Sequence, residues 1–329
     1  MPNEQAPRVE VVVLNWNGRD EIMRCIESIS QQSYRNFGIT ILDNASSDGS
    51  AVSLKTLGDR INLIESSENL GYAGGNNVAM RQAFANGADY VWLFNSDAVA
   101  TPDALAQIIA VCDAGRDIGL ASPLIREEDD RIQFAGRMFD LTVPDTCSTD
   151  DIEQARTWLA NNPHRIALTG TAMLVSRALF DRIGGFDDTL FAYWEDTDYS
   201  IRSAEAGFRN VIVFDSVIFH PGKPTVAAPG AVKPHYYYFM ARNELLLWRK
   251  CCSRFHFIKS ALWVLRHRLV QIARMADNTS GIDAILAGLW DGCRGIGGRY
   301  DPTRRMPFPF RLALARCPRF WIRTIDSLT

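Results

Sequence analysis

The chain lacks the paired cysteine spacing that would mark a disulfide scaffold or a structural zinc site. Its seven cysteines (Cys25, Cys112, Cys147, Cys251, Cys252, Cys293 and Cys317) are odd in number and scattered, with no Cys-x-x-Cys. No stretch reaches the roughly 18 consecutive apolar residues of a spanning helix. The opening MPNEQAPRVE has no basic-then-apolar signal pattern. A reducing cytoplasm is therefore the expected location. There is no Gly-x-Gly-x-x-Gly and no Gly-Lys-Ser/Thr, which argues against dinucleotide oxidoreductases and P-loop enzymes. Internal repeats and low-complexity segments are also missing. Acidic residues are scarce at one end: residues 231–329 hold 6 Asp+Glu against 17 Lys+Arg.

Residues 1–230 show the reverse balance, 32 Asp+Glu against 18 Lys+Arg, so the overall charge of -3 conceals an acidic part at -14 and a basic part at +11. An acidic part suits a metal-dependent site, and a basic part suits a phosphate-bearing or anionic surface. With 329 residues and 47% hydrophobic content, the chain can bury one large core or two.

Val9–Leu14 is a β-branched, nearly unbroken apolar run, as in a strand buried on both faces. Asn17-Gly18 ends it, and Ile22, Cys25, Ile26 and Ile29 then recur at helical spacing. Phe37–Leu42 reads as a second strand ending in Asp43-Asn44, and Ile61–Glu65 as a third. The third leads into a glycine-rich loop, Asn69–Asn77, with a helix over Val78–Phe84. Tyr90–Phe94 is a fourth strand ending at Asn95-Ser96-Asp97. Thr101-Pro102 then opens a helix, with Thr as cap and Pro at its first position. Residues 126–165 are polar and irregular apart from a short helix at Asp151–Ala160. Strand character returns over Ala167–Ser176 and Asn210–Phe219, with a helical turn at Ala178–Ile183 and another helix after Trp194. This alternation predicts an α/β fold with a mostly parallel sheet flanked by helices, and ligands bind beyond the carboxyl ends of such strands. The polar residues above sit at those ends. Past residue 231 the pattern is helical and basic.

Candidate chemistry gathers in a few places. Glu195, Asp196 and Asp198 crowd beside Trp194, either as a helix start or as a site where one carboxylate takes a proton from a hydroxyl. Asp97, directly after a buried strand, is either a helix cap or a hard ligand for Mg²⁺ or Mn²⁺ holding a diphosphate. His220, before Pro221-Gly222, is a structural histidine or a second metal ligand, and an imidazole would favour Mn²⁺. Asp43 can close an Asx-turn or accept from a pyrimidine ring N–H. Gly71–Gly75 allows close approach of backbone to a ligand. Together these residues fit transfer of a group from a nucleotide diphosphate.

Seven segments occur in order: VVVLNWNG, ILDNASSDGS, ENLGYAGGNN, LFNSD, TGTAMLVSR, IGGFDDTLFAYWEDTDYSIR and YYYFMARN. On these motifs, over about residues 9–250, the chain resembles a family 2 glycosyltransferase of GT-A fold. It is most similar to the bacterial rhamnosyltransferase-like branch that builds cell-surface polysaccharides. The resemblance implies a catalytic domain over 1–230, with a nucleotide-sugar half to about 125 and an acceptor half over 126–230, and a helical region over 231–329. It implies that Leu14, Asn15 and Asn17 line the nucleobase pocket, with Asp43 recognising the base. Asn69, Gly74 and Asn76 would form the donor-side loop. Asn95-Ser96-Asp97 replaces the family's Asp-x-Asp, with Asp97 the metal ligand and Asn95 placed for a ribose contact. Asp196 would be the catalytic base, Trp194 and Glu195 would shape the acceptor site, and His220 would be the late metal-binding histidine. Arg202 and Arg242 are possible charge partners. Inversion at the anomeric carbon is implied. The expected donor is dTDP-rhamnose, with UDP-linked galactofuranose, glucose or N-acetylhexosamine as alternatives. The acceptor is a glycan or a polyprenyl-linked glycan. A nucleotidyltransferase, resting on Arg19, and a non-catalytic sugar-nucleotide binder are the competing readings.

Phe255–Met275 interleaves Phe257, Ile258, Leu262, Trp263, Leu265, Leu269 and Ile272 with Lys259, Arg266, Arg268 and Arg274. It reads as a packed helix with a solvated basic face, or as a surface helix on anionic lipid at the inner face of the plasma membrane. No nucleic-acid recognition motif accompanies the basic charge, so no nucleic-acid partner is expected.

Overall fold

The computed structural model describes residues 6–115, 117–142, 145–221, 232–275 and 278–327. It divides into two compact units. The first comprises Met1–Phe139, Thr146–Asp187 and Glu195–Gly222, and the second Asp140–Asp145, Asp188–Trp194 and Lys223–Thr329. The boundary expected at residue 230 lies outside the described residues.

The first unit begins with β1 (Val9–Asn15), α1 (Ile22–Ser30), β2 (Phe37–Asp43), α2 (Ser50–Lys55), β3 (Asn62–Glu65), α3 (Gly71–Ala85) and β4 (Tyr90–Asn95). It continues through β5 (Val99–Ala100), α4 (Ala104–Ala114), β6 (Ile118–Arg126), β7 (Ile132–Phe134), β8 (Gly136–Asp140), β9 (Asp145–Thr149) and α5 (Ile152–Asn161). It closes with β10 (Ile166–Ala167), β11 (Ala172–Ser176), α6 (Arg177–Ile183), α7 (Glu195–Glu205) and β12 (Arg209–Phe219). The main sheet runs β3-β2-β1-β4-β11-β6-β12-β5, with β7 beside β6, while β10, β8 and β9 form a second sheet. Strands β1 to β4 run parallel to one another, as do β6 and β12, and β11 lies antiparallel between β4 and β6.

Both faces of the sheet are covered, which explains the unbroken apolar strands. Val11, Val13, Trp92 and Phe94 pack with Ile22, Ile26, Leu105 and Ile108 on one face. Val12, Val91 and Leu93 pack with Met80, Phe84 and Tyr199 on the other. Register aligns Asn15 with Asp43 and Leu14 with Asn95, so the polar residues that end β1, β2 and β4 share one edge.

Four local expectations are corrected. The glycine-rich segment is no loop: helix α3 already begins at Gly71. A Cβ on Gly75 would lie 2.5 Å from Leu14 Cδ1, so glycine there lets the helix seat against β1. Thr101 does not cap α4. Its hydroxyl donates to the Val217 carbonyl, and the helix starts at Ala104 after a turn. Residues 126–165 carry β7, β8 and β9 as well as α5, whose cap Asp151 accepts from the N–H groups of Glu153 and Gln154. Finally, Ala167–Ser176 is broken by a turn at Thr169-Gly170-Thr171, leaving the two strands β10 and β11.

The second unit contains α8 (Pro234–Cys251), α9 (Arg254–Arg274), α10 (Thr279–Arg294), α11 (Phe308–Arg316) and α12 (Pro318–Asp326). Helices α8 and α10 approach so closely that a Cβ on Gly288 would lie 2.4 Å from the Tyr238 carbonyl oxygen. Gly288→Ala should therefore destabilise this unit by about 1–3 kcal/mol, because backbone rather than a side-chain tip must move. An unchanged midpoint in denaturant titration would refute the close packing. Arg268, expected on a solvated face, is buried and paired with Glu244 at 2.5 Å. Arg242, also buried, donates to the carbonyls of Leu190 and Thr189 rather than to a carboxylate. Its neighbour Asn243 donates to the carbonyls of Leu190, Ala192 and Tyr193. These bonds hold a stretch in which Phe191, Tyr193 and Trp194 all have positive φ, a costly conformation for aromatic residues.

Candidate active site

Beyond the shared strand edge, four groups of side chains assemble in the first unit. At the ends of β1 and β2, the Asn15 amide donates to Asp43 Oδ1 at 2.7 Å and to Ser50 Oγ at 2.9 Å. Asp43 Oδ2 accepts from Ser46 N–H at 3.1 Å, so the carboxylate closes a turn and is nearly fully buried. Asn17, at φ 54°, accepts from Ser47 N–H at 2.8 Å, which ties the loop after β1 to the loop after β2. Asn15 Oδ1 is buried without a hydrogen-bond partner among the described residues. Arg19 is exposed, and its backbone N–H donates to the Asp48 carboxylate.

The second group lies around the start of α3. Asn69 Oδ1 accepts from Gly71 N–H at 2.8 Å and from the Asn44 amide at 3.2 Å. Asn44 also accepts from Leu70 N–H, fixing this segment to the end of β2. Gly74 sits one turn inside the helix, against Leu70. Asn76 is buried with its amide donating to the Tyr72 carbonyl of its own helix.

The third group joins residues 97 and 220. Strand β5 pairs antiparallel with the end of β12, Val99 opposite Phe219, so the residues flanking that pairing meet. His220 Nε2 lies 3.3 Å from Asp97 Oδ1 and 3.4 Å from Asn95 Nδ2. Ser96 lies between them in sequence, with its Oγ 3.2 Å from where a Gly18 Cβ would be. Gln133 decides the imidazole's orientation. Its amide nitrogen donates to the Pro221 carbonyl at 3.1 Å, which can only accept, so its Oε1 must face His220 Nδ1 at 2.9 Å. The ring proton therefore belongs on Nδ1, and Nε2 is left facing Asp97. One imidazole nitrogen and one carboxylate oxygen suit Mn²⁺ or Mg²⁺. Among the described residues no third His, Cys, Asp or Glu joins them, so other ligands would be water or phosphate oxygens. A proton on Nε2 can fill the same gap. Partial burial opposes ionisation of Asp97, yet the hydrogen bond and charge of His220 hold its carboxyl below the usual aspartate range.

The fourth group begins α7. Asp196 Oδ1 accepts from Thr197 N–H at 2.6 Å, and Oδ2 from Gly170 N–H at 3.1 Å. Arg137 Nη1 stands 3.8 Å from Asp196 Oδ1 and donates to Thr197 Oγ1. Glu195 is buried, and its Oε2 has no partner among the described residues. Burial, then the charge of Asp196, pushes Glu195 well above the ordinary glutamate range. Asp198 is fully buried and paired with Arg202 at 2.7 Å, a structural role. Trp194 belongs to the second unit, where its ring meets Trp248 edge-on at 6.5 Å.

Gly170 joins the third and fourth groups. Its N–H reaches Asp196, its carbonyl accepts from the Tyr72 hydroxyl, and the next residue's carbonyl accepts from Asn95 N–H. Burial, then the charges of Glu195, Asp196 and Asp97, raises the Tyr72 hydroxyl well above its ordinary pKa. The site residues not foreseen are Asn44, Tyr72, Gln133, Arg137 and Gly170. A glycine within an otherwise strand-like run signals close backbone approach and could have exposed the turn at 169–171.

The family model described as glycosyl transferase family 2 matches residues 10–184. An N-acetylglucosaminyl-diphospho-decaprenol L-rhamnosyltransferase of Mycobacterium tuberculosis is 26% identical, over 73% of this chain and 86% of that protein. The dTDP-rhamnosyl transferase RfbF of Shigella flexneri is 22% identical over 89% of this chain and 98% of its own length. Among solved structures, mannosyltransferase PcManGT from Pyrobaculum calidifontis, in complex with GDP-Man and Mn²⁺, superposes with a TM-score of 0.56 at 18% identity. That match covers 99% of this chain and 86% of PcManGT. The curled, mostly parallel sheet is thus of the GT-A type, and the chain belongs to glycosyltransferase family 2.

Proposed function

We propose that the chain is an inverting, divalent-metal-dependent glycosyltransferase. It would move rhamnose from dTDP-rhamnose to a hydroxyl of a glycan or polyprenyl-linked glycan, at the inner face of the plasma membrane. The observation that supports this reading is the turn at Gly170, whose N–H donates to Asp196 while the next carbonyl accepts from the N–H of Asn95, two residues before Asp97. The rhamnose assignment draws on the two relatives whose names specify rhamnosyl transfer.

In this reading Asp43, Asn15, Asn17 and Leu14 hold the base, while Asn69, Gly74 and Asn76 shape the donor side and Asn95 reaches the ribose. Charge on the departing diphosphate would be offset by the Mg²⁺ or Mn²⁺ that Asp97 and His220 would hold. Asp196 accepts the proton of the acceptor hydroxyl as its oxygen bonds the anomeric carbon. The bond from that carbon to the diphosphate breaks, its electron pair leaving with the diphosphate. A single displacement of this kind inverts the centre. Thr197 and Gly170 fix the orientation of the Asp196 carboxylate. The unpartnered Glu195 Oε2 suits a hydroxyl of the acceptor, with Trp194 beside it in sequence.

Thermal shift across a panel of nucleotide sugars with Mn²⁺ or Mg²⁺ tests the donor. At a hundredfold excess over Kd, dTDP-rhamnose should stabilise the fold by roughly 2.7 kcal/mol. Comparable stabilisation by a UDP-sugar, and none by dTDP-rhamnose, would reject it. Gln133→Ala should weaken Mn²⁺ binding about 10- to 100-fold by freeing the imidazole. Paramagnetic resonance of free Mn²⁺ reads this directly, and unchanged affinity would remove Gln133 from the site.

A further inference from the structure

We propose that helices α11 and α12 form a docking surface for an anionic phospholipid bilayer. Helix α9, the segment singled out by sequence, buries Val264, Leu269 and Ile272 but leaves Phe255, Ile258 and Trp263 exposed, so it is packed on one side only. Helix α11 differs: none of its nine residues is buried, although most are apolar. Phe308 and Phe310 are 67% and 57% exposed, and Phe320 on α12 is 62% exposed. Three large aromatics in so short a stretch exceed the scattered apolar exposure of an ordinary surface.

Charge supplies the occupant. Arg316, Arg319 and Arg323 are exposed and make no ion pair among the described residues. No acidic residue lies between Asp301 and Asp326, and Asp326 is taken by Arg266 at 2.5 Å. Uncompensated cations interleaved with phenylalanine suit a headgroup layer, where the rings enter the acyl boundary and the guanidinium groups meet lipid phosphate. A second copy of this chain would bring like charges together, which disfavours self-association through this face. The two helices are held in place within their unit. Arg311 pairs with Asp283 at 2.7 Å, and the Trp321 indole donates to the Ala313 carbonyl at 3.2 Å. The proposed function enters only in that a lipid-borne acceptor gives such a surface a use.

The test therefore employs neither donor nor acceptor, so its failure is separable from failure of the catalytic reading. The full chain is floated with phosphatidylcholine vesicles, with and without phosphatidylglycerol, at low and high salt. Binding is expected only with phosphatidylglycerol, and it should weaken as salt rises. The R316Q/R319Q/R323Q variant should partition on the order of 100-fold less, at about fivefold per cation. F308S/F310S/F320S should lose at least about tenfold through lost apolar burial. Because all six side chains are exposed, both variants should stay folded, the second melting slightly below wild type as the contacts of Phe310 with Trp290 and Phe320 with Trp321 are lost. Lack of co-flotation at low salt would overturn the proposal, as would wild-type binding that neither variant set diminishes. So would binding lost in F255S/I258S alone, or an aromatic-dependent dimer that ignores vesicles.

Discussion

Asp196→Asn is expected to lower turnover about 10²- to 10⁴-fold while leaving nucleotide-sugar affinity within roughly twofold of wild type. The asymmetry follows from where Asp196 sits. Its carboxylate is anchored by Thr197 and Gly170 at the start of α7, whereas Asn15, Asn17 and Asp43 bond one another at the ends of β1 and β2. An amide is nearly isosteric with the carboxylate but cannot accept the acceptor's proton. It also turns an N–H donor toward one of two N–H groups that need an acceptor, so a stability loss on the order of 1 kcal/mol should accompany the change. Calorimetric titration of donor and initial rates of transfer on one preparation separate these effects. Wild-type turnover would reject the assigned base, and donor affinity lost in parallel with rate would move Asp196 to the donor pocket.

Replacing Asp97 with Ala should impair donor binding as well as turnover. Nucleotide-diphosphate binding should lose its dependence on Mn²⁺ or Mg²⁺, and transfer should fall by at least about 10³-fold, equivalent to several kcal/mol of charge stabilisation. His220 would remain oriented by Gln133, so a residual, weakened metal affinity is the expected signature rather than none. His220→Ala should give the converse, with Asp97 left as a single ligand. If metal still promotes donor binding equally in the Asp97 variant, the Asp97–His220 pair is only an internal contact and the cation binds elsewhere.

Much of this site could be read from the chain alone because its residues follow buried parallel strands. Apolar runs fix β1, β2 and β4, and register then forces Asn15, Asp43 and Asn95 onto one edge. The meeting of Asp97 with His220 has a different origin. It depends on the short antiparallel pairing of β5 with β12, whose two-residue partner carries almost no periodic signal. Gln133 and Arg137 lie on short strands with alternating polar side chains, which a reading based on apolar periodicity leaves as irregular. Helix α3 was misplaced for the contrary reason. Its glycines disfavour helix intrinsically, and at Gly75 it is the tertiary seat on Leu14 that calls for one. Asp198 shows the limit of counting acidic residues, since one member of the cluster serves Arg202 rather than chemistry.

The most direct measurement is anomalous diffraction from crystals of the whole chain grown with Mn²⁺ and dTDP. The expected result is a manganese peak bonded to Asp97 and His220 and to diphosphate oxygens, with the Asp196 carboxylate facing the side from which an acceptor hydroxyl would approach. A peak bound by other residues, or an Asp196 carboxylate turned to a surface the diphosphate does not reach, would contradict the shared site.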